Sequence, residues 1–227
     1  MSRKTVLVTG GSRGIGRAIC EDLSKDWHVL VGGRMDATGS VASALESAQP
    51  WAVDITDEEA VREACAKIDK LDALVLSAGI SMGKTIAEAT REDWETILNV
   101  NVIAQASLVK YLLPALRNAR GQVVAINSGS GFNSKAGGGL YSASKFALRA
   151  MTDALREEER AAVRVSSVHP GRVDTDMQVE IQEQAGRDYN PSDHVRPESI
   201  AKAVRLALET TEDATVEVIS VRPVHQI

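Results

Sequence analysis

The chain has 227 residues, 44% hydrophobic and 25% charged, an ordinary globular balance with ample length to bury a core. Lys and Arg number 26 against 31 Asp and Glu, and the formal charge of −5 excludes the basic footprint of a nucleic-acid or anionic-membrane binder. Two cysteines, Cys20 and Cys65, lack metal or redox spacing, so we expect reduced core thiols and no metal site.

The first residues, "MSRKTVLVTGG", enter a strand at once. We find no signal-like stretch and no run of ~18 apolar residues, which reads as a cytoplasmic protein. Strand 5–10 leads through a glycine cluster into a helix, "GIGRAICEDLSK". Strands 28–33 and 49–55 follow, then "TDEEAVREACAKI", a helix opened by a capping box of Thr56 with Glu59. After strand 72–79 comes a long helix over 91–119, which Pro114 should kink near its end. Strand 122–128, helix 142–160 and strand 163–171 come next. Residues 174–195 show no clear order and read as either a substrate lid or a poorly ordered loop. Helix 196–209 and strand 215–223 close the chain. The strands are apolar without alternation and alternate with helices. That pattern predicts one domain over 1–227, a Rossmann-like, doubly wound parallel sheet of about seven strands.

Gly10, Gly11, Gly14 and Gly16 lie between the first strand and its helix. Glycines there let the backbone approach a pyrophosphate, and the helix end offers free N–H groups. The G-x-x-x-G-x-G spacing differs from the usual G-x-G-x-x-G, and a plain turn with positive-φ positions would use the same residues. Strand two ends "VLVGGRMD", with Gly32 and Gly33 where an acid would hold a ribose 2′-OH. Arg34 follows, and Arg13 stands in the glycine loop. Two guanidiniums suit a 2′-phosphate, so the pattern favours NADP(H), while Asp36 keeps NAD(H) open.

"YSASK" places Tyr141 and Lys145 on one helical face. An ammonium beside a phenol lowers the phenol's pKa from its reference of ~10 and fits it for general acid work, although Y-x-x-x-K alone is a common pattern. With "TGGSRGIG" (9–16), "DI" (54–55), "SAG" (77–79), "NVNV" (99–102), "NSGSG" (127–131) and "HPGRVDT" (169–175), it forms an ordered set. In this set the chain resembles the short-chain dehydrogenases/reductases in their compact single-domain form, over nearly its whole length.

The resemblance implies an NADP-dependent oxidoreductase that moves a hydride between nicotinamide and a small carbonyl or alcohol. Tyr141 matches the acid/base. Lys145 matches the lysine that lowers its pKa and bonds the nicotinamide ribose. Ser128 matches the serine that bonds the substrate oxygen, and Asn101 the asparagine that holds a relay water. The cofactor set is Gly10, Ser12, Arg13, Gly14, Ile15, Gly16, Arg34, Asp54, Ile55, Ala78, Gly79, Tyr141, Lys145, Pro170, Gly171, Val173 and Thr175, with Asp54 at the adenine and Thr175 at the carboxamide. The small residues around Tyr141 would let helix and cofactor crowd together.

The chain also departs from the family pattern. Ser77-Ala78-Gly79 replaces Asn-Ala-Gly, which puts a strand-stabilising contact in doubt. Ser130 competes with Ser128. The end "EVISVRPVHQI" lacks the glycine-rich tail of many tetrameric members, which leaves a homodimer or a homotetramer open. His169 reads as structural, and Trp94 as helix packing. A non-catalytic dinucleotide sensor is the competing class, because a fold alone does not give function. An extended epimerase would need more substrate domain than residues 172–227 provide.

Overall fold

The computed structural model describes residues 3–184 and 186–225. Its centre is one seven-stranded sheet in the order β3-β2-β1-β4-β5-β6-β7, with every pairing parallel. The strands are β1 (Thr5–Val8), β2 (His28–Gly33), β3 (Ala48–Ala52), β4 (Ala73–Leu76), β5 (Gln122–Ile126), β6 (Arg164–Pro170) and β7 (Val218–Val221). Neighbouring residues of a strand face opposite sides. Val6 and Val8 join one apolar cluster while Leu7 joins the other, and β5 divides likewise into Val124 and Ile126 against Val123 and Ala125. Helices cover both faces, so neither set needed polar alternation.

On the first face lie α1 (Gly14–Leu23) and α8 (Pro197–Glu209), with Ile19, Leu23 and Val204 fully buried. Arg205 of α8 ties them together. It donates to Asp22 Oδ2 at 2.6 Å, to the Asp22 carbonyl at 2.7 Å and to Asp26 at 2.9 Å. On the second face lie α3 (Glu58–Cys65) and α5 (Ala104–Ala119), whose Leu108, Leu112 and Leu116 are fully buried. Cys20 belongs to the first cluster and Cys65 to the second, so the sheet separates the two free thiols. Burial pushes them up to about 12 and about 11.

Several expectations change. α3 is capped by Asp57, which accepts from the Ala60 N–H at 3.0 Å. Thr56 instead donates its hydroxyl to Asp54 at 2.7 Å. A carboxylate satisfies the same N–H and also favours the positive helix end. A capping box does exist, at Thr90 and Asp93 of α4 (Arg91–Leu98). The long helix passes through a π-helical turn, Asn99–Ile103, before continuing as α5 through Pro114 to Ala119. By length and composition alone 91–119 is apolar enough to cross a membrane, but its Leu108, Leu112 and Leu116 pack on the sheet. A short helix, α2 (Met35–Ser43), was not legible around its central Gly39.

The segment 174–195 holds α7 (Asp176–Gln184) and a short 3-10 turn, Pro191–Asp193, so among its described residues it is not an unstructured loop. Val173 bridges to Val195 across its base, and the Tyr189 hydroxyl donates to Asp174 at 2.5 Å. The remaining helix, α6 (Gly139–Glu159), lies between β5 and β6 in the chain. The chain builds β1 to β3 outward one way, then returns to lay β4 against the other side of β1. That reversal leaves a crevice beyond the carboxyl ends of β1 and β4.

Candidate active site

The glycine turn closes β1 onto α1 in a way no larger residue permits. Gly10 and Gly14 have φ of 65° and 52°, in the left-handed region. A Cβ on Gly10 would stand 3.0 Å from the Ala78 Cα, and one on Gly16 would stand 2.2 Å from the Gly10 carbonyl oxygen. α1 begins at Gly14 with no side-chain cap and no acid in its first turn. Its first N–H groups and positive dipole end therefore remain available to an anion.

A cleft of about 470 Å³ opens here. Gly10, Ser12, Arg13, Gly14, Ile15, Gly16, Arg34, Asp54, Ile55, Ala78, Gly79 and Thr175 all line it. Its size and its uncapped helix end fit a dinucleotide, whose pyrophosphate the glycine turn could hold. Arg13 and Arg34 reach the same cleft as Gly33, where β2 ends without an acid. Asp54 is held below the usual carboxylate range, first by the Thr56 N–H and hydroxyl and less by the Arg34 charge. The side chain of Asp36 lies outside those described. Thr175 packs against the glycine turn, its Cγ2 3.3 Å from where a Gly14 Cβ would be.

Sequence reading missed Thr9. Its buried hydroxyl accepts from the Ser77 and Ala78 N–H groups at 3.0 and 3.1 Å and fixes the β4 end beside the turn. The cleft lining also includes Val100 of "NVNV", and Ile80, Asp176 and Met177, which no motif signalled; the last two open α7, a helix with little apolar periodicity.

Gly79 joins the cleft to the candidate catalytic group. A Cβ there would lie 3.2 Å from Asn101 Oδ1 and 3.8 Å from Lys145 Nζ. Lys145 is buried, donates to the Ile126 carbonyl at 3.0 Å and sits 5.7 Å from the Tyr141 ring centroid. Burial lowers its pKa from 10.5 to about 8. Tyr141 is raised by burial, with the Ser128 hydroxyl acting in the opposite direction. The expected lowering by Lys145 is absent in this structure: desolvation governs both groups, and the ammonium bonds a carbonyl instead of the phenol. Ser128 contacts Tyr141 in this way, which distinguishes it from Ser130, whose N–H donates to the Ser128 hydroxyl at 3.1 Å.

Asn101 stands in the π-helical turn, a distortion common at functional sites. Its amide donates to the Ile80 carbonyl at 2.9 Å and to Ser144 Oγ at 3.0 Å, and it accepts from the Ile80 N–H at 2.8 Å. Both amide hydrogens are thus spent within the protein. Ser144 in turn donates to the Tyr141 carbonyl at 2.8 Å. Ser144, fully buried, thus brings α6 against the π turn.

Pro170, Gly171 and Val173 do not line the cleft. Val173 is buried in the core beside Val195. His169 is fully buried, and its Nδ1 meets the Ser128 carbonyl at 3.0 Å, so Nδ1 carries the proton and Nε2 accepts from the Ser167 hydroxyl at 2.9 Å. Burial lowers its pKa and keeps it neutral. Trp94 is half-buried on α4. Among the described residues no group of His, Cys, Asp or Glu could hold a metal.

The family model described as "short chain dehydrogenase" matches residues 4–186. An uncharacterized oxidoreductase of Staphylococcus saprophyticus is 33% identical over 97% of both chains. An alcohol dehydrogenase from the archaeon Thermococcus sibiricus, complexed with 5-hydroxy-NADP, superposes with a TM-score of 0.90 at 27% identity, covering 100% of this chain and 99% of its own. ElxO with NADP bound superposes with a TM-score of 0.86 at 25% identity, covering 97% and 98%. With its parallel sheet, glycine turn and Tyr141–Lys145 pair, the chain belongs to the short-chain dehydrogenase family of oxidoreductases.

Proposed function

We propose that the protein is a cytoplasmic, NADP(H)-dependent carbonyl reductase or alcohol dehydrogenase acting on small or medium carbonyls. The observation that carries this reading is the junction at Gly79. The cleft lies on one side, and Lys145, with Tyr141 and Ser128 beside it, lies on the other. When bound, the nicotinamide supplies the hydride. Tyr141, raised by burial and therefore protonated at neutral pH, donates its proton to the carbonyl oxygen as negative charge grows there. Ser128 hydrogen-bonds the same oxygen. Lys145, buried near the phenol, favours a phenolate after the transfer. Asn101 ties the Tyr141 turn to the cleft wall through Ser144 and Ile80. In the reverse direction Tyr141 must first lose its proton, so oxidation is favoured by alkaline pH.

The NADP preference rests on Arg13 and Arg34 facing a cleft whose β2 end carries no acid at Gly33. The Thermococcus relative's 5-hydroxy-NADP complex supports the same choice. A homodimer or homotetramer is part of the reading, supported by apolar side chains left exposed at Ile103 and Phe146. The test follows NADPH and NADH oxidation against a panel of aldehydes, ketones and α-diketones. Turnover with NADPH on several members supports the reading. A preference for NADH would sink the arginine argument, and cofactor binding without turnover on any member would favour a sensor.

A further inference from the structure

Behind Ser128 a second layer joins Gly129 and His169 of the motifs to Phe132, Arg149 and Arg222, which no motif includes. The Ser128 carbonyl accepts from His169 Nδ1 at 3.0 Å and from the Gly131 N–H at 3.0 Å. His169 is held at its other nitrogen by Ser167, and its ring centroid lies 4.2 Å from that of Phe132, the two planes tilted by 36°. Arg149 covers Phe132 at 4.5 Å from the ring centroid. Just after β7, Arg222 donates to the His169 carbonyl at 2.5 Å and to the Val221 carbonyl at 3.2 Å. Its guanidinium lies flush on the serine loop: a Cβ on Gly129 would stand 3.2 Å from Arg222 Nη2. The same tail presses on the turn after β6, where a Cβ on Gly171 would stand 2.9 Å from Pro223 Cδ and 3.2 Å from Arg222 Cδ. The Gly171 N–H also donates to Val221 at 2.7 Å.

We infer that Arg222 is a positioning residue: from the chain's last segment it clamps the Ser128 loop against the end of β6, and through His169 it fixes where the Ser128 hydroxyl points. The geometry requires both partners to be flat. Gly129 and Gly171 present bare backbone to the guanidinium and to Pro223, and a side chain at either would push the tail away. Arg222 itself is exposed, so its loss removes little buried surface. Its effect is therefore on the alignment of Ser128, where displacement of about 1 Å is costly to the chemical step. The Gly171–Val221 bond and the β6–β7 pairing hold the tail in register, which keeps the guanidinium over Gly129.

This inference rests on Ser128 bonding the substrate oxygen, and the experiment separates the two claims. Arg222→Ala, Arg222→Lys, Gly129→Ala, Ser128→Ala and the Ser128→Ala/Arg222→Ala pair are compared for kcat and KM of a carbonyl substrate, NADPH affinity and Tm. Arg222→Ala should lower kcat about tenfold while NADPH affinity stays within about twofold, and Arg222→Lys should recover most of that loss. In the Ser128→Ala background the same change should cost less than about twofold, because the hydroxyl it aligns is gone. Gly129→Ala should reproduce the kcat loss from the opposite side, and it decides the matter if Arg222→Ala does not fold. An unchanged kcat in both Arg222→Ala and Gly129→Ala, or an undiminished loss in the Ser128→Ala background, overturns the inference. If Ser128→Ala itself leaves kcat unchanged, the proposed function and the inference fall together.

Discussion

Replacing Gly16 by Ala tests the phosphate cradle most sharply. The added methyl would lie 2.2 Å from the Gly10 carbonyl oxygen and 2.7 Å from its carbon. A carbon ordinarily keeps about 3.3 Å from such an oxygen, so the first turn of α1 must retreat from the glycine turn by about 1 Å. The obstacle is backbone, with no flexible side-chain end to move aside. Strain of this kind costs about 1–3 kcal/mol, or about 2–4 °C of Tm per kcal/mol in a chain this long. The larger effect falls on the ligand, because the N–H groups of α1 no longer converge on one anion. NADPH affinity should drop at least about tenfold. Gly39→Ala is the control: nothing lies within 4 Å of its added methyl, and α2 should gain about 0.5–1 kcal/mol. Fluorescence titration of NADPH and thermal melts read both. A Gly16→Ala protein with unchanged affinity and Tm would refute the close approach of the two turns.

Arg13→Ala and Arg34→Ala should each weaken NADPH binding about tenfold and leave NADH binding within about twofold, as steady-state KM values for the two cofactors will show. For Lys145, burial lowers the folded-state pKa from 10.5 to about 8, so between those values the unfolded chain binds more protons and stability rises with pH. Lys145→Met removes that rise, and its advantage in chemical denaturation should shrink by about 2 kcal/mol between about pH 7.5 and 9.5. A constant difference would contradict the buried ammonium. Arg205→Ala severs the ties of α8 to Asp22 and Asp26; these are partly exposed, so the loss should be about 1–2 kcal/mol, read as a lower Tm with unchanged turnover.

Much of this was legible in the sequence because the physics is local. A strand buried on both faces must be apolar throughout, and β1, β4 and β5 read directly. Glycines at Gly10, Gly14 and Gly16 declare a turn that side chains cannot enter. What escaped depends on contacts distant along the chain. Thr9 matters because β4 returns beside β1 and offers it the Ser77 and Ala78 N–H groups. The π turn at Asn99–Ile103 leaves no mark on composition, since "NVNV" continues a helical pattern. α7 was hidden by its weak apolar face. The Tyr141–Lys145 spacing placed two residues on one helical face, but their pKa values follow from burial, which spacing does not report.

In the proposed reaction Tyr141 supplies the proton. Tyr141→Phe removes one oxygen and keeps the ring, so the cleft and its arginines stay as they are. Single-turnover reduction of a carbonyl from the panel by bound NADPH should slow about 10²–10⁴-fold, with NADPH affinity within about twofold of the unaltered protein. Reduction at an undiminished rate would show that the proton comes from elsewhere, and the site as assembled here would not be the catalytic one.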